Sequence, residues 1–276
     1  MPNEFLSMWD ADGGQAARCY AQKPYGHYKE EVYPLFGEIL DAMGDGIRVL
    51  DIGAGPGHCA VEFYKRRPRS TVRFALMDVG RAMLDIATKR LADMGVTTAE
   101  CFQRSFNVPG WDEGLGRLDA VISNNALFHV KPGLLAGFYR TVYGLLLDDG
   151  LLLSQQAFAH EHGDFADALE GFPGVLSPRR SMTEQEARRW EQLKAKAAEL
   201  NAAAERKRTE EAARRRAEGR EVTEDAGAYA NLCLPASAHV ARMRDAGFRA
   251  GCIWRKMESA VLVGIKGSPF PGKAGP

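Results

Sequence analysis

The sequence lacks most of the features that would place it quickly. Its five cysteines (Cys19, Cys59, Cys101, Cys233 and Cys252) include no Cys-x-x-Cys pair. An odd, dispersed set argues against a disulfide framework or a zinc site, and suits a reducing, cytoplasmic setting. No apolar run approaches the roughly 20 residues that a membrane span needs, so no membrane partner is expected. Met1-Pro-Asn-Glu-Phe5 lacks a basic cluster followed by an apolar stretch, so no secretory leader is expected. Net charge is missing too: 36 Lys and Arg balance 36 Asp and Glu. That rules out the whole-chain basic field of a general nucleic-acid or anionic-membrane binder.

What is present fits one large globular domain, since 276 residues can bury a full core. From about Ile47 to Ile265, short apolar runs alternate with helical patterns, the sign of an α/β domain with a largely parallel sheet. Strands are expected over 48–52, 72–77, 98–102, 118–123 and 151–157, then over 252–256 and 261–266. Helices are expected over 57–66, 81–94 and 132–146. No helix-length segment separates the last two strands, so a tight connection makes them antiparallel. Residues 1–46 read as a helical cap, with Tyr20, Tyr25, Tyr28 and Tyr33 close together and an amphipathic helix over 30–43. Residues 267–276, rich in Gly and Pro, are expected to be disordered.

An insertion at about 160–235 is expected to form a helical lid. Ser181 with Glu184, and Thr183 with Glu186, offer capping-box starts. No Gly or Pro follows until Gly219, which predicts one long helix or two broken by a turn. Met182, Trp190, Leu193, Ala197 and Leu200 form an apolar stripe on its first half, and an exposed stripe would suit a homodimer contact. Ten basic residues then face eight glutamates between 184 and 218, with Glu184/Arg188, Glu210/Arg214 and Glu211/Arg215 in the stabilising i,i+4 order. Interleaved glutamates and missing aromatics favour a solvated helix over an RNA-binding one.

The chemistry is concentrated in Val49-Leu-Asp-Ile-Gly-Ala-Gly-Pro-Gly57, a strand, a glycine-rich turn and a helix start. Glycines let the main chain pass beneath a nucleotide-like ligand with no side chain in the way. The spacing is Gly-x-Gly-x-Gly, and His58 stands where a dinucleotide fingerprint needs its third glycine. Asp51 lies two residues before the first glycine, poor company for a pyrophosphate and good company for a cationic ligand. Phe74-Ala-Leu-Met-Asp78 brings a second acid to the end of the next strand, about 20 residues on, where a ribose would be recognised.

These residues resemble the class I S-adenosylmethionine-dependent methyltransferases. Val49–Gly57 looks like that family's first motif, Asp78 with Val79 its second, and Leu118–His129 its fourth. Gly150-Leu-Leu-Leu-Ser154, Ala246-Gly-Phe248 and the closing strands extend the likeness over residues 47–160 and 236–266. The resemblance implies a Rossmann-like, seven-stranded methyltransferase sheet, mostly parallel with a C-terminal antiparallel hairpin, in class α/β. It implies S-adenosyl-L-methionine as cofactor and S-adenosyl-L-homocysteine as product. Asp51, Gly53, Ala54, Gly55 and Gly57 would hold the methionine end and Asp78 the ribose. Val79, Met83, Ser105 and Phe106 would lie at the adenine, and Asn124 and Asn125 at the methyl donor. Tyr20 and Tyr28 would cover the cofactor, with Tyr25, His129 and Trp190 at the acceptor. His129 is the best-placed base and His160 a second candidate; no metal is expected.

Two departures narrow the branch. Gln103-Arg-Ser-Phe106 lies where many relatives carry Gly-Asp and a small residue. Asn124-Asn125 is not followed by the Pro-Pro-Tyr of DNA and protein-glutamine N-methyltransferases. Ser154-Gln-Gln-Ala-Phe158 also resembles the tRNA wobble-uridine carboxy-S-adenosylmethionine synthase. Where that family has an arginine ahead of the last helix this chain has Glu224, with Arg220 nearby, which argues against the carboxylated cofactor. A small-molecule methyltransferase is therefore expected. The alternatives are an RNA-modifying enzyme, or a cofactor-binding module that docks a partner through its long helix.

Overall fold

The computed structural model describes residues 4–7, 9–22, 28–96, 99–159, 184–219, 222–224, 234–256 and 259–267. In chain order the first half contains β1 (Glu4–Leu6), α1 (Gln15–Ala21), α2 (Tyr33–Ala42), β2 (Arg48–Ile52), α3 (His58–Arg66), β3 (Arg73–Asp78), α4 (Arg81–Ala92), β4 (Glu100–Gln103) and β5 (Leu118–Asn124). The second half contains α5 (Leu135–Leu145), β6 (Leu146–Ala157), α6 (Glu184–Ala217), β7 (Val222–Glu224), α7 (Ala236–Asp245), β8 (Arg249–Lys256) and β9 (Ser259–Ile265).

Seven strands form one sheet in the order β4-β3-β2-β5-β6-β9-β8. Six run parallel, and β9 is antiparallel to both its neighbours, β6 and β8. The continuous apolar runs of the central strands are explained by burial on both faces, as parallel sheets require. Leu50 and Ile52 of β2 face α5 and α7, packing with Phe138, Tyr139, Val142 and Met243. Val49 and Leu76 face the other way, onto Phe36 and Leu40 of α2, Phe63 of α3 and Leu84 of α4. Asp51 alternates with Leu50 and Ile52, so it shares the face of Val49, at the strand's C-terminal end.

Three differences from the sequence reading have local causes. β6 begins at Leu146, not near 151, because Asp148-Asp149-Gly150 reads as a turn. The ladder instead runs on past a register shift between Leu118 and Ala120, with Asp149 at φ 63°. β8 likewise starts at Arg249 and absorbs a shift between Cys252 and Trp254, which leaves Ile253 exposed. The helix expected over 30–43 opens with a π-helical turn, Tyr28–Val32, before α2.

The insertion's helix α6 is continuous over 34 residues. Glu184 pairs with Arg188 as expected, whereas Arg214 pairs with Glu211 at 2.6 Å and not with Glu210. Glu211 also holds Arg215 at 2.5 Å, so one carboxylate serves two guanidinium groups. A contact that the sequence does not announce joins the N-terminal segment to the insertion: β1 pairs with β7 in parallel, and α1 packs on α6. The cap and the insertion are thus tied to each other. Tyr25, His160, Arg220 and residues 268–276 lie outside the described residues, as do the side chains of Tyr28 and Trp190. Among the described residues no helix is long and apolar enough to cross a membrane, and no cluster of His, Cys, Asp and Glu suits a metal ion.

Candidate functional site

A cleft opens at the C-terminal edge of the sheet, where ligands of open α/β sheets are held. It is lined by Tyr20, Tyr33, Asp51, Gly53, Ala54, Gly55, Pro56, His58, Cys59, Asn124 and Asn125. Its floor is the glycine turn, laced to the neighbouring strand: Gly53 N and Ala54 N donate to Met77 O at 2.8 and 3.0 Å.

The three motif glycines do different work. A Cβ on Gly53 would overlap that of Ala126, and one on Gly57 would come within 2.9 Å of Ala87 Cβ, so both glycines serve close packing. Gly55 is the one with nothing within 4 Å of an added Cβ, at φ 53°. Bare backbone therefore faces open space at Gly55 alone of the three.

Asp78 is where the motif predicts, but it already has work within the loop. Its Oδ2 accepts from Gly55 N and its Oδ1 from Gly80 N, both at 2.9 Å. Asp51 is the opposite case: it is 1% exposed and its Oδ2 has no hydrogen-bond partner. Burial, and then the charge of Asp78, push its carboxyl up to about 7. A buried carboxylate oxygen without a partner calls for a cation or a strong donor.

Asn124 offers its Nδ2 to Tyr33 Oη at 3.4 Å, while its buried Oδ1 has no partner. Asn125 holds the strained φ of 56°, fixed by its N–H donating to Gln155 O at 2.7 Å. Tyr20 reaches the cleft from α1, its ring 5.1 Å from that of Trp9. Tyr33, His58 and Cys59 are cleft residues that the sequence reading did not assign. His58 and Cys59 open the helix directly after the glycine turn, which was the available signal. Burial, followed by the charges of Arg90 and Lys65, lowers His58 to about 3, so its ring is neutral at physiological pH.

Other expected residues lie outside the cleft lining. Met83 is buried in α4, and Val79 O accepts from Gln103 Nε2 at 3.1 Å. Ser105 Oγ accepts from Asn107 N at 3.3 Å, and Phe106 packs edge-on against Phe138 in the core. His129 sits in a 3-10 turn, its ring 4.3 Å from that of Phe128, and burial lowers it to about 4. Glu224 closes β7, opposite Leu6.

This strand order, with a glycine turn and two acids at its C-terminal edge, is the Rossmann-like sheet expected from the resemblance to class I S-adenosylmethionine-dependent methyltransferases. Residues 49–150 match the family described as methyltransferase domain. Solved structures agree on the fold. An O-methyltransferase family protein from Burkholderia thailandensis is 16% identical, with 87% of this chain and 59% of that one covered and a TM-score of 0.50. The CurJ carbon methyltransferase is 17% identical over 91% and 58%, with a TM-score of 0.56. Magnesium protoporphyrin IX methyltransferase from Synechocystis PCC 6803, solved with bound SAH, is 14% identical over 94% and 96%, with a TM-score of 0.53. The chain thus spans under two thirds of the length of the first two. No functionally curated protein matches it.

Proposed function

We propose that this protein transfers a methyl group from S-adenosylmethionine to a small-molecule acceptor in the cytoplasm. The observation that carries the cofactor's placement is the buried, unpartnered Asp51 carboxylate beside the bare Gly55 backbone. When bound, S-adenosylmethionine supplies an electrophilic methyl on a sulfonium. Such a transfer needs an in-line nucleophile and a dry site more than a dedicated acid or base.

The chain's own residues supply holding and shielding. Asp51 balances the positive charge of the methionine end. Asp78, braced by two backbone N–H groups, takes the ribose, with Val79 on the adenine side. Asn124 and Asn125 border the region of the methyl group, and Tyr20 forms a wall. For an acceptor that must lose a proton, His129 is the base we propose, although it lies outside the cleft lining and burial, which lowers it to about 4, makes it a weak one. A small acceptor is supported by neighbours that include O- and C-methyltransferases. The charge of α6 supports it too, because Arg214 and Arg215 are both engaged by Glu211 and present little uncompensated positive surface.

The test is calorimetric titration with S-adenosylmethionine and S-adenosylhomocysteine, followed by mass-spectrometric detection of methylated products from a panel of phenols and amines. Asp78→Ala is expected to weaken both cofactor forms by more than about tenfold, losing the ribose contact and the brace on Gly55. Unchanged affinity in that variant would remove the cofactor from this cleft.

A further inference from the structure

Helix α4 starts at the edge of the cleft, directly after Asp78, yet it has no cap of its own. Its N-cap position is Gly80, which has no side chain to offer. The acceptors come from two carboxylates elsewhere. Asp78 takes the Gly80 N–H. Asp10, 71 residues before Arg81, takes the next two: Oδ2 accepts from Arg81 N at 3.1 Å and Oδ1 from Ala82 N at 2.6 Å. Exposed N–H groups and the helix dipole both favour a carboxylate there.

The chain around Asp10 is fitted to α4. An added Cβ on Gly80 would come within 2.9 Å of Trp9 Cβ, and one on Gly14 within 2.9 Å of Ala82 Cβ. Glycine at both positions is what allows the approach. Trp9 in turn packs on Tyr20, a wall of the cleft. One chain of contacts therefore runs from the floor of the cleft to its wall, from Gly55 through Asp78 and the first turn of α4 to Asp10, Trp9 and Tyr20.

We propose that Asp10 is a positioning residue for cofactor binding, a latch that caps α4 and so holds the Trp9–Tyr20 wall in place beside the glycine turn. The proposal rests on the reading of this cleft as the S-adenosylmethionine site. It predicts a graded loss, because the two oxygens of aspartate accept two N–H groups here, asparagine offers one acceptor oxygen, and alanine none.

The experiment compares the wild type, Asp10→Ala and Asp10→Asn as full chains. Amide hydrogen exchange is measured on the free proteins, and S-adenosylhomocysteine is titrated by calorimetry. Exchange across residues 9–22 is expected to accelerate most in Asp10→Ala and less in Asp10→Asn. Affinity for S-adenosylhomocysteine is expected to fall about tenfold in Asp10→Ala and by a smaller factor in Asp10→Asn. Unchanged exchange, or unchanged affinity, in Asp10→Ala overturns the proposal. A wild type that binds no S-adenosylhomocysteine, with the exchange difference intact, overturns the cofactor reading and with it the role in binding, while leaving the latch itself in evidence. If Asp10→Ala does not fold, the wild type decides: added protection of residues 9–22 on binding supports the latch, and none overturns it.

Discussion

Replacing Asp51 by asparagine is expected to stabilise the ligand-free protein and to weaken its affinity for S-adenosylmethionine at least about 100-fold, some 3 kcal/mol. Both effects have one origin. The carboxyl is buried at the end of β2, its Oδ2 has no partner, and burial with the nearby Asp78 charge raises it from 3.8 to about 7. A folded-state value above the unfolded one means that ionisation costs the fold. The cost is absent below about pH 4, grows as the pH rises to 7, and is complete above that, on the order of 4 kcal/mol. Asparagine removes the charge but keeps a buried amide, so the net gain at pH 8 is smaller, about 1–3 kcal/mol. Thermal melts at pH 8 should therefore place the variant several degrees higher, and the two melting temperatures should converge near pH 4.

The affinity works in the opposite direction. A bound cation favours the ionised carboxylate, so wild-type affinity should rise with pH between about 5 and 7 and release a proton on binding in that window. Calorimetry in buffers of different ionisation enthalpy reads the proton directly. A wild type whose affinity ignores pH, or a variant that binds as tightly, would exclude Asp51 from the cation's place. Stability given up at a buried charge is the ordinary signature of a residue kept for binding.

The parts of this architecture legible in the sequence are those set by local periodicity and spacing. Val49–Gly57 and Phe74–Asp78 carry strand, turn and acid within a few residues, so the sheet edge and both carboxylates could be placed. The antiparallel ending followed from the short distance between β8 and β9. What escaped depends on contacts far apart in sequence. Tyr33 lines the cleft because α2 crosses the sheet beside β5, a fact of packing with no motif. Phe106 stands beside the expected adenine position in sequence, yet Phe138 offers it a core contact. β1 and β7 are three residues each and make a ladder only because α1 and α6 bring them together. Asp10 reads as one more surface acid until α4 is seen to lack its cap.

The glycine turn supplies the sharpest test of this division between ligand binding and packing. Gly53→Ala is expected to destabilise the protein by about 3 kcal/mol, lowering the melting temperature by roughly 6–12 °C. Two causes add. The backbone holds φ 71°, which costs an alanine about 1 kcal/mol. The new methyl also overlaps the Cβ of Ala126, which is 5% exposed in the loop after β5 and has little room to withdraw. The two contributions separate in a double variant. Adding Ala126→Gly to Gly53→Ala removes the overlap and leaves the φ penalty, so most of the lost stability should return. Gly55→Ala meets no atom within 4 Å and should cost only about the φ penalty, yet its methyl enters the cleft and should cut cofactor affinity. The expected pattern is thus crossed, with Gly53→Ala failing mainly in denaturation and Gly55→Ala mainly in titration. Absence of rescue by Ala126→Gly, or a Gly55→Ala variant that melts lowest and binds normally, would show that backbone conformation alone governs the turn.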